Sequence, residues 1–118
     1  MSEIARRILG EITRVEGVRA AIVVSRDGLV LDAVIPRRDL NPEDIAVAVM
    51  QIVNATDRLG KDFGLGNTDI TSVEYTNGII MIGTMGENVL AVVAERGAML
   101  GMIRNEIKKQ RERLRAAI

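Results

Sequence analysis

The hydrophobic positions of this chain switch between a helical and a strand period, and the switches fall at turn residues. Between Ser2 and about Val15, Ile4, Ile8 and Ile12 recur every fourth residue. Ala5, Leu9 and Val15 widen that stripe, and Arg6, Arg7, Glu11 and Arg14 take the opposite side, which predicts an amphipathic helix. Ser2 can accept an unpaired N–H of the first turn, and Glu3 suits the positive end of the helix dipole. Gly10 is a weak spot in the middle, and Gly17 ends the element. Val18 to Ser25 is rich in β-branched residues and reads as a strand. Arg26-Asp27-Gly28 then turns the chain, because Asp-Gly readily supplies positive φ, and Leu29 to Val34 returns as a second strand. The run Ala20-Ala21-Ile22-Val23-Val24 lacks alternation, as expected of a strand covered on both faces.

Asn41-Pro42-Glu43 combines a capping side chain, proline at the first helical position and an acid in the first turn. The helix it opens is expected to reach about Leu59, with Gly60 as the stop. Lys61 to Thr68, with its Gly64-Leu65-Gly66, reads as a loop. Asp69 to Thr76 is a third strand, and Asn77-Gly78 is the strongest hairpin signal in the chain. Ile79 to Thr84 follows as a fourth strand, Gly86-Glu87-Asn88 as a turn, and Val89 to Ala94 as a fifth. Gly97 opens a last helix with Leu100, Ile103, Ile107 and Leu114 on one stripe. The order is αββαβββα, and most strand links are hairpin-short. The expected fold is therefore α+β, a five-stranded antiparallel sheet with three helices, and 118 residues suit one domain over 1–118.

The middle helix stands out. A helix packed on one surface needs an apolar stripe about 100° wide. Here Ile45, Ala46, Val47, Ala48, Val49, Met50, Ile52, Val53, Ala55 and Leu59 cover well over half the circumference. Glu43, Asp44, Gln51, Asn54 and Arg58 fill a narrow polar arc that also holds Val47. One sheet cannot hide so much helix. Either another helix of the chain covers the remainder or a second copy does. The third strand adds to the second possibility. It carries Thr71, Val73 and Tyr75 on one face, has no proline, and can lie at a sheet edge open to pairing; the alternative is a short, solvated edge.

Composition narrows the chemistry. Lys plus Arg and Asp plus Glu are 16 each, so there is no net charge to draw the chain to nucleic acid or an anionic membrane. Cysteine and histidine are both absent, which removes disulfides, thiolate sites, the usual near-neutral base and the commonest metal ligand. No signal-peptide pattern and no apolar run of about 20 residues is present, so a cytoplasmic protein without membrane insertion is expected. Gly60-Lys61 lacks the upstream glycine and the following Ser or Thr of a phosphate loop. Gly64-Leu65-Gly66 lacks the third glycine of a dinucleotide fingerprint and precedes a strand. No calcium loop or carboxylate pair in an apolar setting is evident. The cations of the last helix read as its wet side, and one Phe and one Tyr cannot build a stacking platform for single-stranded nucleic acid. The six methionines read as fillers of core gaps or as adaptable interface residues. No catalytic, metal or cofactor residue is expected, and the chain does not read as an enzyme.

Glu16-Gly17-Val18-Arg19-Ala20-Ala21-Ile22-Val23-Val24 followed by Arg26-Asp27-Gly28-Leu29-Val30-Leu31 resembles the opening hairpin of the Roadblock (dynein light chain) family. Gly97-Ala98-Met99-Leu100-Gly101-Met102-Ile103-Arg104 resembles that family's entry into its last helix, although Met99 stands where relatives often carry a polar residue. The order of elements agrees over nearly the whole chain, and an MglB-like member is implied. That resemblance implies a homodimer or heterodimer joined through the middle helices and third strands, with Ile45, Val49, Met50, Val53, Thr71, Val73 and Tyr75 at the interface. It implies a Ras-like small GTPase as partner, modulated without a catalytic group from this chain. Docking is expected on Val47, Gln51, Asn54 and Arg58. The alternatives are a dimeric scaffold with no effect on GTPase rate, or a ligand-sensing domain, which would need a sizeable apolar pocket.

Overall fold

The computed structural model describes residues 3–118. Helix α1 (Glu3–Thr13) leads to strands β1 (Val18–Ser25) and β2 (Val30–Val34). Helix α2 (Pro42–Asp62) follows, then β3 (Ile70–Tyr75), β4 (Gly78–Met85), β5 (Asn88–Glu95) and helix α3 (Leu100–Ala117). The five strands form one sheet in the order β2-β1-β5-β4-β3, with every neighbouring pair antiparallel. This is the α+β arrangement expected from the hydrophobic pattern. Chain-distant β1 and β5 meet in the centre, leaving β2 and β3 at opposite edges. No helix among the described residues is long and apolar enough to cross a membrane.

The sheet carries a core on each face. Ile8, Leu9 and Ile12 of α1 and Ile103, Ile107 and Leu114 of α3 pack on Ala21, Val23, Met81, Leu90 and Val92. On the other face Ala46, Val49, Met50 and Val53 of α2 pack on Ala20, Ile22, Val24, Val89 and Ala91. The residues from Ala20 to Val24 therefore alternate between two cores and all are inaccessible, which is why that run has no polar partner in its period.

The element ends differ from the expectations for identifiable reasons. Ser2, expected to cap α1, lies outside the described residues. Ile4 continues the every-fourth-residue spacing but is 58% exposed. Asn41 caps α2 as expected, its side chain accepting the Asp44 N–H at 3.0 Å. The helix does not stop at Gly60. Gly60 is helical and buried, and a Cβ there would collide with the Gly66 carbonyl, so glycine serves the return of the loop against the helix. The Leu65 N–H closes that return on the Gly60 carbonyl at 2.7 Å. The last helix begins at Leu100, not at Gly97. Its N-cap is Met99, which offers no capping hydrogen bond, so the residue that departs from the family pattern leaves this helix start without a side-chain cap.

Two polar features tie the α1 and α3 layer together. Buried Gln110 donates to Glu11 and Glu106, both at 2.9 Å, and accepts from Arg113 at 2.6 Å. Arg113 also bonds Glu11 at 3.2 Å. The hydrogen bonds from Arg113, then from Gln110, hold the Glu11 carboxyl below the usual carboxylate range. At Gly17 φ is +89°, and a Cβ would come within 2.8 Å of the Ala98 Cβ and 3.1 Å of its Cα. This glycine lets the chain leave α1, turn into β1 and pass under the approach to α3.

Two measurements follow. Gly17→Ala meets both a positive φ and backbone of the Ala98 segment, and should cost about 2 kcal/mol, lowering Tm by roughly 8 °C in a thermal melt. Because the Glu11 pKa is lower in the folded chain, its contribution is present above the unfolded value of about 4.3 and fades as pH falls through the folded value. Glu11→Gln should therefore melt below wild type near neutral pH, and the gap should close in melts at progressively more acid pH.

Candidate self-association and docking surface

Helix α2 packs over β1 and β2, and among the described residues no second helix joins it on that face. Cover on that face thins toward β4 and β3: Ile82 is still buried in the α2 core, and beyond it the face is only partly covered. Cross-strand pairing sets Thr71 opposite Ile82 and Val73 opposite Ile80, so Thr71, Val73 and Tyr75 share the face of the α2 core. Ile80 and Val93 are only partly buried there, and Tyr75 is exposed. Beyond β3 the sheet has no further strand. A shallow depression of about 450 Å³ lies at this corner, lined by Tyr75, Ile80 and Val93 among others.

The expected interface residues separate into two sets. Thr71, Val73, Tyr75 and Ile45 reach this open region. Val49, Met50 and Val53 do not: they are 1%, 5% and 0% exposed, packed beneath α2 on their own sheet. They are the helix's inward stripe, and a partner cannot reach them without unpacking the core. The sequence pattern showed that the apolar arc was too wide but not which part the chain's own sheet would take.

The part left over is Ile45, Ala48, Ile52, Ala55 and Leu59, spaced 3, 4, 3 and 4 residues apart along one flank of α2. Ile45 and Ile52 are partly buried, Ala48 and Ala55 are exposed, and Leu59 is 57% exposed. The groove beside Leu59 gives the direction of this flank. Thr56 receives the Thr68 hydroxyl at 3.3 Å just ahead of β3, and Leu59 lines a groove of about 440 Å³ with Thr71 and Ser72. On the other side of the helix Asp57 meets Arg26, in the β1–β2 turn, at 2.9 Å. The all-apolar flank therefore looks across the partly covered side of the sheet. This stripe was missed by reading the arc as a whole; its seven-residue repeat was the available signal.

Val47, Gln51, Asn54 and Arg58 follow i, i+4, i+7, i+11 and all are exposed, so the helix brings them together on a second stripe pointing away from the sheet. Arg58 has no ion pair among the described residues.

A cleft of about 760 Å³ lies elsewhere, at the end of α2, lined by Arg26, Asp57, Lys61, Thr68, Thr84 and several glycines. Many of its polar groups are engaged with one another: Thr68 donates to Asp57 at 2.7 Å, Thr84 donates to the Thr68 carbonyl at 2.7 Å, and Arg26 donates to Asp57 and the Gly86 carbonyl. Its bonds hold the loops in place, and it lacks the predominantly apolar lining of a ligand pocket. Among the described residues no group of three or more acidic side chains converges as a metal site. What α2 and β3 offer is apolar area beside an open strand edge.

Comparison with known proteins identifies the family and the fold. The model of the Roadblock/LC7 domain matches residues 4–95. An uncharacterized protein of Methanocaldococcus jannaschii is 28% identical over 110 residues, covering 93% of this chain and 96% of that protein. The structure of Myxococcus xanthus MglB superposes with a TM-score of 0.87 at 18% identity, over 95% of this chain and 92% of that one. The gliding protein MglB of Thermus thermophilus gives a TM-score of 0.87 at 25% identity, over 98% and 88%. With the order of elements, the sheet and most of the length in agreement, the chain belongs to the Roadblock/LC7 family.

Proposed function

We propose that this chain acts as a homodimer that docks on a Ras-like small GTPase and modulates its nucleotide hydrolysis without supplying a reacting group. The observation that carries this reading is the apolar flank of α2 lying beside the partly covered side of the sheet and the open β3 edge.

A second copy fits that surface by symmetry. The stripe reads large, small, large, small, large from Ile45 to Leu59, nearly the same in either direction. Two α2 helices crossing antiparallel at Ile52 set Ile45 near the partner's Leu59 and Ala48 near the partner's Ala55. The alanines let the axes approach to about the 8 Å end of the helix-packing range. The same two-fold axis brings the β3 edges together antiparallel, so one continuous sheet forms and the exposed Tyr75 is covered. An isologous contact of this kind closes on itself and covers the apolar flank of α2.

In that dimer the two stripes of Val47, Gln51, Asn54 and Arg58 lie on one surface, away from the sheet. They present shape, amides and cations, but no nucleophile or base. Such a surface changes a partner's rate only by binding one arrangement of its switch loops better than another. This is the mode that the Roadblock resemblance implies.

The mass of the purified chain should be twice 12.9 kDa, and Ile52→Asp should return it to the single-chain mass with an unchanged circular dichroism spectrum. A stable monomer for wild type would remove the dimer. Wild type should accelerate GTP hydrolysis by a Ras-like GTPase from the same source. The double variant Gln51→Glu, Arg58→Glu should weaken GTPase binding about tenfold or more, a loss of about 1.4 kcal/mol, with its dimer mass intact. Binding that ignores the bound nucleotide, with no change in rate, would make the chain a tether.

A further inference from the structure

The opposite edge of the sheet carries a second feature. β2 pairs only with β1, so its outer side faces a groove of about 580 Å³ between α1 and the approach to α2. Arg6 and Gly10 of α1 line one wall, Ala33, Val34 and Ile35 the floor, and Arg38, Leu40 and Pro42 the far wall.

Three details at this groove go against local preference. Gly10 sits in a helix interior, where glycine is unfavourable, yet an added Cβ would meet nothing within 4 Å. Packing therefore does not require the glycine, but its missing side chain keeps the groove open. Arg38 holds φ at 55°, rare for a residue with a side chain, and its N–H is tied to the Ile35 carbonyl at 2.9 Å. Asp32 is buried, with one carboxylate oxygen holding Arg6 at 2.7 Å and the Ala33 N–H at 2.8 Å, and the other without a partner among the described residues. The Arg6 side chain remains 69% exposed, so a guanidinium pinned in place still has donors to give. Arg38 has no ion pair among the described residues. Local preferences broken together at one place point to function or strain, and here the exposed Arg6, the ion-pair-free Arg38 and the open space at Gly10 favour function.

We propose that this groove binds an extended, acidic peptide segment of another protein, laid along β2 as an added strand. The Ala33 N–H and the Ile35 carbonyl are already held by Asp32 and Arg38, so the added strand pairs with the remaining outer main-chain groups of β2, while Ile35 and Leu40 take alternate apolar side chains and Arg6 and Arg38 take the carboxylates between them. The site does not depend on the dimer, because β2 and β3 are opposite edges.

The test is a nitrogen-15 NMR titration of the full chain with a short peptide of alternating valine and glutamate. Amide shifts should saturate at Gly10 and at Ala33 to Ile35. The same peptide with lysine for glutamate should bind about tenfold more weakly or worse, the loss expected of charge-assisted hydrogen bonds. A version with N-methylated backbone amides should also fail, since it cannot add a strand. Gly10→Leu should melt at or above wild type and lose the titration, and Arg38→Glu should weaken it about tenfold. Shifts confined to other residues, equal binding of the lysine peptide, unaltered binding by folded Gly10→Leu, or no saturable binding of the glutamate peptide would each overturn the proposal.

Discussion

The unequal cover on the two faces of the sheet governs the rest of this structure. Five strands at about 4.8 Å spacing make a sheet about 20 Å across, whereas a helix with its side chains covers about 10 Å. On one face α1 and α3 together match that width and close a core. On the other α2 is alone among the described residues, and its cover thins beyond Ile82 toward β3. The chain answers by sparing polar residues from the flank of α2 that looks over the gap and by keeping Ile80, Val93 and Val73 in the gap itself. A chain folding only for itself would place Lys or Glu at such positions.

This imbalance also shows where the sequence was readable. Element order followed from the change of period and from Asp27-Gly28 and Asn77-Gly78, which are local signals. The buried run Ala20 to Val24 was readable because lack of alternation has one simple cause. The inward and outward parts of α2 were not readable from its width alone. Both are apolar, and only the tilt of the helix on β1 and β2 decides that Met50 is covered while Ala48 is not. Gly60 was misread for a similar reason: a glycine that stops a helix and one that admits a passing carbonyl look alike until the loop is placed. The groove beside Gly10 was beyond the sequence, since it depends on β2 falling at the sheet edge, far from its chain neighbours in pairing order.

The absence of histidine and cysteine takes on meaning beside this geometry. The α2 surface holds side chains that bury and position, and its exposed charged groups are of both signs, Glu43 and Asp44 near one end and Arg58 and Lys61 near the other. Acting as proposed, such a surface would do work by preferring one state of a partner. The largest change it can cause is set by the difference in its affinity for the two states, however tightly it holds either. In the proposed complex, selectivity for the partner's conformation would reside in the polar stripe of Val47, Gln51, Asn54 and Arg58, because the apolar flank would be committed to the second copy.

The positions of the two sheet edges connect the proposed dimer to the proposed peptide groove. If two copies join at β3, the continuous sheet ends in β2 on both sides, and each end carries one groove. Joining the copies neither blocks nor reshapes the grooves, so dimerisation would leave the affinity of a single peptide unchanged. It would alter how a partner with two acidic segments is held, because capture of the second segment becomes intramolecular. The gain then depends on whether the linker between the segments can span the doubled sheet, and a linker too short for that span gains nothing. The proposed dimer would then set a length requirement for its partners at its outer edges while its α2 surface would set a conformational requirement for the proposed GTPase, and the two would act through elements that share only the sheet between them.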